Sequence, residues 1–192
     1  MMKLLAISGS LRAASLNTAL LRALARLAPA DIAVELFGEL GNLPLFNPDL
    51  EATEPAVVMN FRTQLLAADA VLIASPEYAH GISGAMKNAL DWMVACEAFV
   101  DKPVALLNAS PRAVHAQAAL KEVITVMSAR VVDAASITLP IIGSGLDEDG
   151  IVSDPEIAGA LREALRGLQA VSDRIRSEAA AALAALLCRA VN

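Results

Sequence analysis

The stretch Ser8-Gly9-Ser10-Leu11-Arg12-Ala13-Ala14-Ser15-Leu16-Asn17-Thr18 follows directly on the apolar run Leu4-Leu5-Ala6-Ile7. Ser10, Arg12, Ser15, Asn17 and Thr18 bring hydroxyls, a side-chain amide and a guanidinium to one short loop, just where a helix is expected to begin. Backbone N–H groups and the positive end of the helix dipole favour an anion there, and Arg12 adds a charge-assisted donor. Such a loop suits a phosphate. A helix cap alone would need one polar residue, Ser15 or Asn17, and the loop supplies five. A second loop, Ser75-Pro76-Glu77-Tyr78-Ala79-His80-Gly81, follows the equally apolar Ala70-Val71-Leu72-Ile73-Ala74. Pro76 stiffens its backbone, and Gly81 permits close approach and unusual dihedrals. N–H and C=O groups from Glu77 to Gly81 can then address the polar edge of a heterocycle. Tyr78 is the only tyrosine in the chain and offers a flat face. Alone, Tyr78 reads as packing against core or a neighbouring subunit, and His80 as a surface imidazole. Together, a phosphate at one end and a planar ring at the other describe a mononucleotide.

Two such loops need a scaffold that brings them to one place. Lys3 to Ser8 reads as a strand buried on both faces, because its apolar run is continuous and bounded by polar loops. Asn17 to Leu27 reads as a helix with Leu20, Leu21, Leu24 and Leu27 on one face. Strands are expected at Ile32 to Phe37, Ala70 to Ser75, Val104 to Ala109 and within Val131 to Leu139. Helices are expected at Val57 to Ala68, Ser83 to Ala95 and Ala113 to Ala129, and from Pro155, capped by Asp154, to about Arg176. The stretches 38–55 and 140–154 read as irregular, with Gly143, Gly145 and Gly150 as turn residues. The alanine-rich segment 178–192 extends the last helix or forms another.

Alternating strands and helices imply a parallel sheet with right-handed crossovers and helices on both faces. Five strands suit the order 2-1-3-4-5, whose switch point lies between the first and third strands. Those are the two strands that lead into the informative loops. The expectation is an α/β three-layer sandwich formed by residues 1–192 as one domain.

Composition narrows the function classes. Fifteen Lys and Arg against 21 Asp and Glu give a net charge of −6, which argues against nucleic acid. The hydrophobic fraction of 56% owes much to alanine, and the longest apolar runs fall short of the roughly 18 residues that a membrane span needs. Cys96 and Cys188 form no C-x-x-C pair and read as buried thiols of a reducing cytoplasm. The N-terminus enters a strand rather than a signal peptide. The first loop lacks both G-x-G-x-x-G and G-x-x-x-x-G-K-[ST], so dinucleotide and nucleoside-triphosphate fingerprints are absent. Gly81-Ile82-Ser83-Gly84 and Gly143-Ser144-Gly145 are spaced wrongly for a nucleophile elbow, and two histidines with two scattered cysteines make no recognisable zinc site.

The pair G-S-L-R-x-x-S-x-N and S-P-E-Y-x-x-G-x-x-G-x-x-K-N-A-L-D-W resembles the NADPH-dependent FMN reductase family, from Lys3 to about Arg176. Leu43-Pro44-Leu45-Phe46-Asn47-Pro48-Asp49 is also similar to that family's loop after the second strand. The resemblance implies a flavodoxin-like fold and an FMN-dependent NAD(P)H oxidoreductase acting by ping-pong hydride transfer on a quinone, azo, flavin or similar acceptor. It implies FMN-binding roles for Ser10, Arg12, Ser15, Leu16 and Asn17 around the phosphate. Around the ring it implies Pro76, Glu77, Tyr78, Ala79, His80 and Gly81, with Ser110 from the loop Asn108-Ala109-Ser110-Pro111-Arg112. It implies a homodimer or homotetramer, with the helix carrying Lys87, Asn88 and Trp92 at an interface. The chain departs from the pattern at Ala79, where the family often has asparagine, and in Pro111-Arg112-Ala113-Val114, where it is commonly glycine-rich. No catalytic acid or base and no metal is expected, since the cofactor carries the chemistry. The competing expectation is a flavodoxin-type electron carrier or FMN-binding module without nicotinamide turnover.

Overall fold

A computed structural model describes residues 1–190, with side chains through Ala184. The side chain of Cys188, and residues 191–192 of the expected C-terminal extension, lie outside the described residues. The parallel sheet comprises β1 (Met2–Ser8), β2 (Ile32–Leu36), β3 (Ala70–Ala74), β6 (Pro103–Leu107) and β7 (Arg130–Val131), in the order β2-β1-β3-β6-β7. This is the expected 2-1-3-4-5 arrangement. Every residue of β3 and β6 is buried, as the unbroken apolar runs require of strands covered on both faces.

One core layer joins Leu4, Leu72 and Leu107 to Leu20, Leu21 and Leu24 of α1 (Leu16–Leu27) and to Leu161, Leu165 and Leu168 of α6 (Pro155–Ala190). The other joins Leu5, Ile73 and Leu106 to Phe61 of α2 (Ala56–Ala67), Met86 and Leu90 of α3 (Gly84–Asp91) and Leu120 of α4 (Val114–Val126). Alternate strand residues feed opposite layers, the period-two geometry of a pleated sheet. Asp154 Oδ1 accepts from the N–H groups of Glu156 and Ile157, the cap expected before Pro155, and the alanine-rich stretch continues α6 as one helix.

Three local expectations are corrected. The fifth strand is only Arg130–Val131. A 3-10 turn at Asp133–Ala135 interrupts pairing, and the chain rejoins the sheet through a single bridge between Thr138 and Asn108. The stretch 140–154 is not wholly irregular, because Glu148–Ser153 forms α5, with Gly150 inside it. Asp147 Oδ1 caps α5 by accepting from the Gly150 N–H at 2.9 Å. Arg26 of α1 bonds Asp149 at 2.6 Å and Glu148 at 3.2 Å, and these bonds, Asp149 first, hold its guanidinium above its ordinary pKa. Gly143 and Gly145 are turn residues with positive φ. Finally, the second loop is a hairpin of β4 (Glu77–Tyr78) and β5 (Gly81–Ile82).

Candidate functional site

The carboxyl ends of β1, β3 and β6 are bolted together before any side chain faces a ligand. Gly9 N–H donates to Ala74 O at 2.8 Å, and Ser83 Oγ donates to Gly9 O at 2.6 Å. A Cβ at Gly9 would lie 2.3 Å from Ser75 Oγ and 3.1 Å from Ser75 Cα, so only glycine lets the strand ends approach this closely. Ser83 also caps α3 by accepting from Met86 N–H. The parallel sheet thus holds the first and second loops, after β1 and β3, at a fixed separation.

Between the loops runs an open cleft of about 470 Å³, within the roughly 300–1,000 Å³ typical of small-molecule sites. The first loop contributes Ser10, Arg12, Ala14, Ser15, Leu16 and Asn17 to its wall. Its polar residues divide the work. Thr18 Oγ1 pairs with Ser8 Oγ at 2.7 Å and ties the loop to α1, while Ser15 caps α1 by accepting from Thr18 N–H at 3.2 Å. Ser10 Oγ accepts from Arg12 N–H at 3.4 Å and keeps its own proton to donate. That hydroxyl and the Arg12 and Asn17 side chains remain for a ligand, together with the first-turn N–H groups that any helix leaves unpaired.

The second loop contributes Ser75, Pro76, Glu77 and Tyr78, and Tyr78 is 60% exposed. Ala79, His80 and Gly81 do not line the cleft; Ala79 and His80 form the far turn of the hairpin, and Gly81 begins its second strand. Positive φ falls on Ala79 (48°) and His80 (61°) rather than on Gly81, which corrects the expectation of unusual dihedrals there. Two positive φ values in a two-residue turn are the type I′ geometry that Asn-Gly usually supplies. Glu77 Oε2 accepts from Ala116 N–H at 2.9 Å, so its carboxylate serves the N-terminus of α4. The His80 and His115 rings stack with centroids 4.2 Å apart, a second attachment of the hairpin to α4.

The loop after β6 adds Asn108, Ala109, Ser110, Arg112 and Ala113, and Ile142 closes the wall from the segment after the Thr138 bridge. Asn108 Oδ1 accepts from Ser110 N–H at 3.0 Å, and Ser110 Oγ accepts from Arg112 N–H at 3.3 Å, so two side-chain turns shape this loop without glycine. Ile142 had no sequence signal, because it is brought in by a contact more than thirty residues from Asn108.

Within the subunit, the α3 segment, expected at an interface, also holds the loop that precedes it. Asn88 Oδ1 accepts from Phe46 N–H at 2.8 Å, and Asn88 Nδ2 donates to Pro44 O at 2.9 Å. The buried Trp92 donates from Nε1 to Pro44 O at 2.8 Å and meets Phe46 edge-on. Both side chains therefore anchor the loop 43–46 within the subunit. Asn88→Ala strands the Phe46 N–H and should cost on the order of 1–3 kcal/mol. Urea denaturation measures this, and an unchanged midpoint would show that the loop holds itself.

A model of the family described as NADPH-dependent FMN reductase matches residues 2–143. The chain is 33% identical over 180 residues to the NAD(P)H-dependent FMN reductase of Pseudomonas aeruginosa, covering 91% of this chain and 97% of that one. It is 32% identical over 188 residues to a probable NADPH:quinone oxidoreductase 2 of Oryza sativa subsp. japonica, covering 93% of each. Among solved structures it is similar to the flavoenzyme NAD(P)H:(acceptor) oxidoreductase FerB from Paracoccus denitrificans, with a TM-score of 0.74 and 30% identity over 92% of this chain and 98% of that one. The chain belongs to the NADPH-dependent FMN reductase family and is an FMN-dependent NAD(P)H oxidoreductase.

Proposed function

We propose that the cleft between the first and second loops holds FMN and that donor and acceptor take turns over its exposed ring. The observation that supports this most is the placement of Ser10, Arg12 and Asn17 at the α1 N-terminus on one side and of Pro76, Glu77 and Tyr78 on the other. The residues fit the cofactor. Its phosphate suits the guanidinium and hydroxyl of the first loop and the helix dipole. Its ring suits Pro76, Tyr78 and the backbone of the hairpin, with Ser110 at the flank. Bound FMN supplies hydride acceptance and delivery. The protein's part is to orient the ring and to leave one face open, which the exposed Tyr78 and the open cleft allow.

A quinone is the acceptor class we favour, since quinone reductases stand among the relatives and a flat neutral ring suits an open stacking site. The described residues pack on the two faces of one sheet, which supports reading the chain as one domain. Among those residues no helix is long and apolar enough to cross a membrane. We further propose a cytoplasmic homodimer or homotetramer with its contact near α3; exposed Leu45 and Val94 support this, while Asn88 and Trp92 are committed within the subunit. Initial rates with varied NADPH at several fixed quinone concentrations should give parallel double-reciprocal lines. Intersecting lines would mean that donor and acceptor bind together, and the shared-cleft reading would fall.

A further inference from the structure

The cleft carries a second arginine on the loop opposite the one at the α1 N-terminus. Arg12 and Arg112 both line it, both are exposed, and neither forms an ion pair among the described residues. The one carboxylate in the wall, Glu77, is occupied by Ala116 N–H. A chain of net charge −6 thus keeps a positive cleft. Arg12 sits beside the α1 N-terminus, where the helix dipole already favours a phosphate. Arg112 sits on the loop after β6. Strand β3 lies between β1 and β6, so the two loops leave the sheet about 10 Å apart. Pro111, the Ser110 turn and the buried Ala113 at the start of α4 fix the backbone that presents Arg112.

We propose that Arg112 holds an anionic oxygen group of the molecule that exchanges hydride with the bound flavin. That group is a phosphate of the nicotinamide nucleotide or the ionised oxygen of an acidic acceptor. Arg112 is then a specificity-determining residue, favouring anionic over neutral partners in the open half of the cleft. Its planar fork grips oxyanions in a way that lysine reproduces only as a point charge. The inference rests on the reading of the cleft as the shared flavin site.

The test compares holoenzymes of wild type, Arg112→Ala and Arg112→Lys. The acceptors are 2-methyl-1,4-naphthoquinone, which is neutral, and 2-hydroxy-1,4-naphthoquinone, a vinylogous acid ionised at neutral pH; the donors are NADPH and NADH. FMN dissociation constants are measured by fluorescence quenching for the same variants and for Arg12→Ala. If the acceptor supplies the anion, Arg112→Ala lowers the kcat/KM ratio of hydroxyquinone to methylquinone about tenfold. If the donor's 2′-phosphate supplies it, the ratio of NADPH to NADH falls by a similar factor. If the pyrophosphate supplies it, both donors lose kcat/KM relative to the methylquinone. Arg112→Lys recovers part of whichever loss appears. Equal losses with every donor and acceptor, or none, would overturn the proposal. A loss of FMN affinity matching that of Arg12→Ala would also overturn it, by assigning Arg112 to the flavin phosphate. Wild type that does not oxidise NAD(P)H defeats the functional reading first and this inference with it.

Discussion

Arg12→Ala should weaken FMN binding about ten- to hundredfold, since a charge-assisted hydrogen bond is worth roughly 1.5–3 kcal/mol. Fluorescence quenching of FMN titrated with apoprotein reads the change directly. Arg12 is exposed and unpaired among the described residues, so removing it breaks no internal contact and the apoprotein should melt as wild type does. The loss is then specific to the ligand. The helix dipole, Ser10 and Asn17 remain, which is why binding is weakened rather than abolished. Unchanged affinity would place the Arg12 guanidinium in solvent and leave the phosphate to the helix terminus alone.

Gly9→Ala should damage both the fold and the cleft. Its new Cβ would meet Ser75 Oγ at 2.3 Å, Ser75 Cβ at 2.8 Å and Ser75 Cα at 3.1 Å, so a side-chain rotation does not suffice and backbone must shift. Overpacking of this kind costs about 1–3 kcal/mol, or on the order of 2–12 °C in Tm for a chain of this length. The displaced atoms belong to the junction of β1 and β3, which sets the spacing of the phosphate and ring loops. FMN affinity should therefore fall along with stability. Adding Ser75→Gly removes the two closest contacts and should restore part of the Tm. A Gly9→Ala protein with wild-type Tm and flavin affinity would show that the two strand ends are not rigidly coupled.

The fold and the first loop were legible because their signals are local. Buried parallel strands write continuous apolar runs, and Ser15 capping α1 or Asp154 capping α6 lies within three residues of what it serves. The strand order followed from alternation together with the count of five strands, which suits the 2-1-3-4-5 form of a doubly wound sheet. The misreadings have physical causes. The hairpin at 77–82 was hidden because its turn uses Ala79-His80, without the Asn-Gly signature of two positive φ values. Helix α5 was hidden because it is six residues long with Gly150 inside it. The run 131–139, expected to contain the fifth strand, is apolar enough for a full strand but is broken by the 3-10 turn at Asp133–Ala135.

Roles that depend on distant partners left no trace. Glu77 lines the cleft, and its carboxylate also serves Ala116, 39 residues away, a bond with no local signal. Asn88 and Trp92 hold a loop more than forty residues earlier, a role their sequence context does not announce. Arg112 stood out only as a departure from a glycine-rich pattern, and the cleft gives that departure a position.

The central claim is that the cleft holds FMN where NAD(P)H can reach it. The most direct measurement is anaerobic addition of NADPH to the yellow holoenzyme, followed at the visible flavin band. Rapid bleaching, and recovery of the band when a quinone is added, is the result expected. A band that persists with NADPH and with NADH, but disappears with dithionite, would contradict the account and leave a flavin-binding electron carrier in its place.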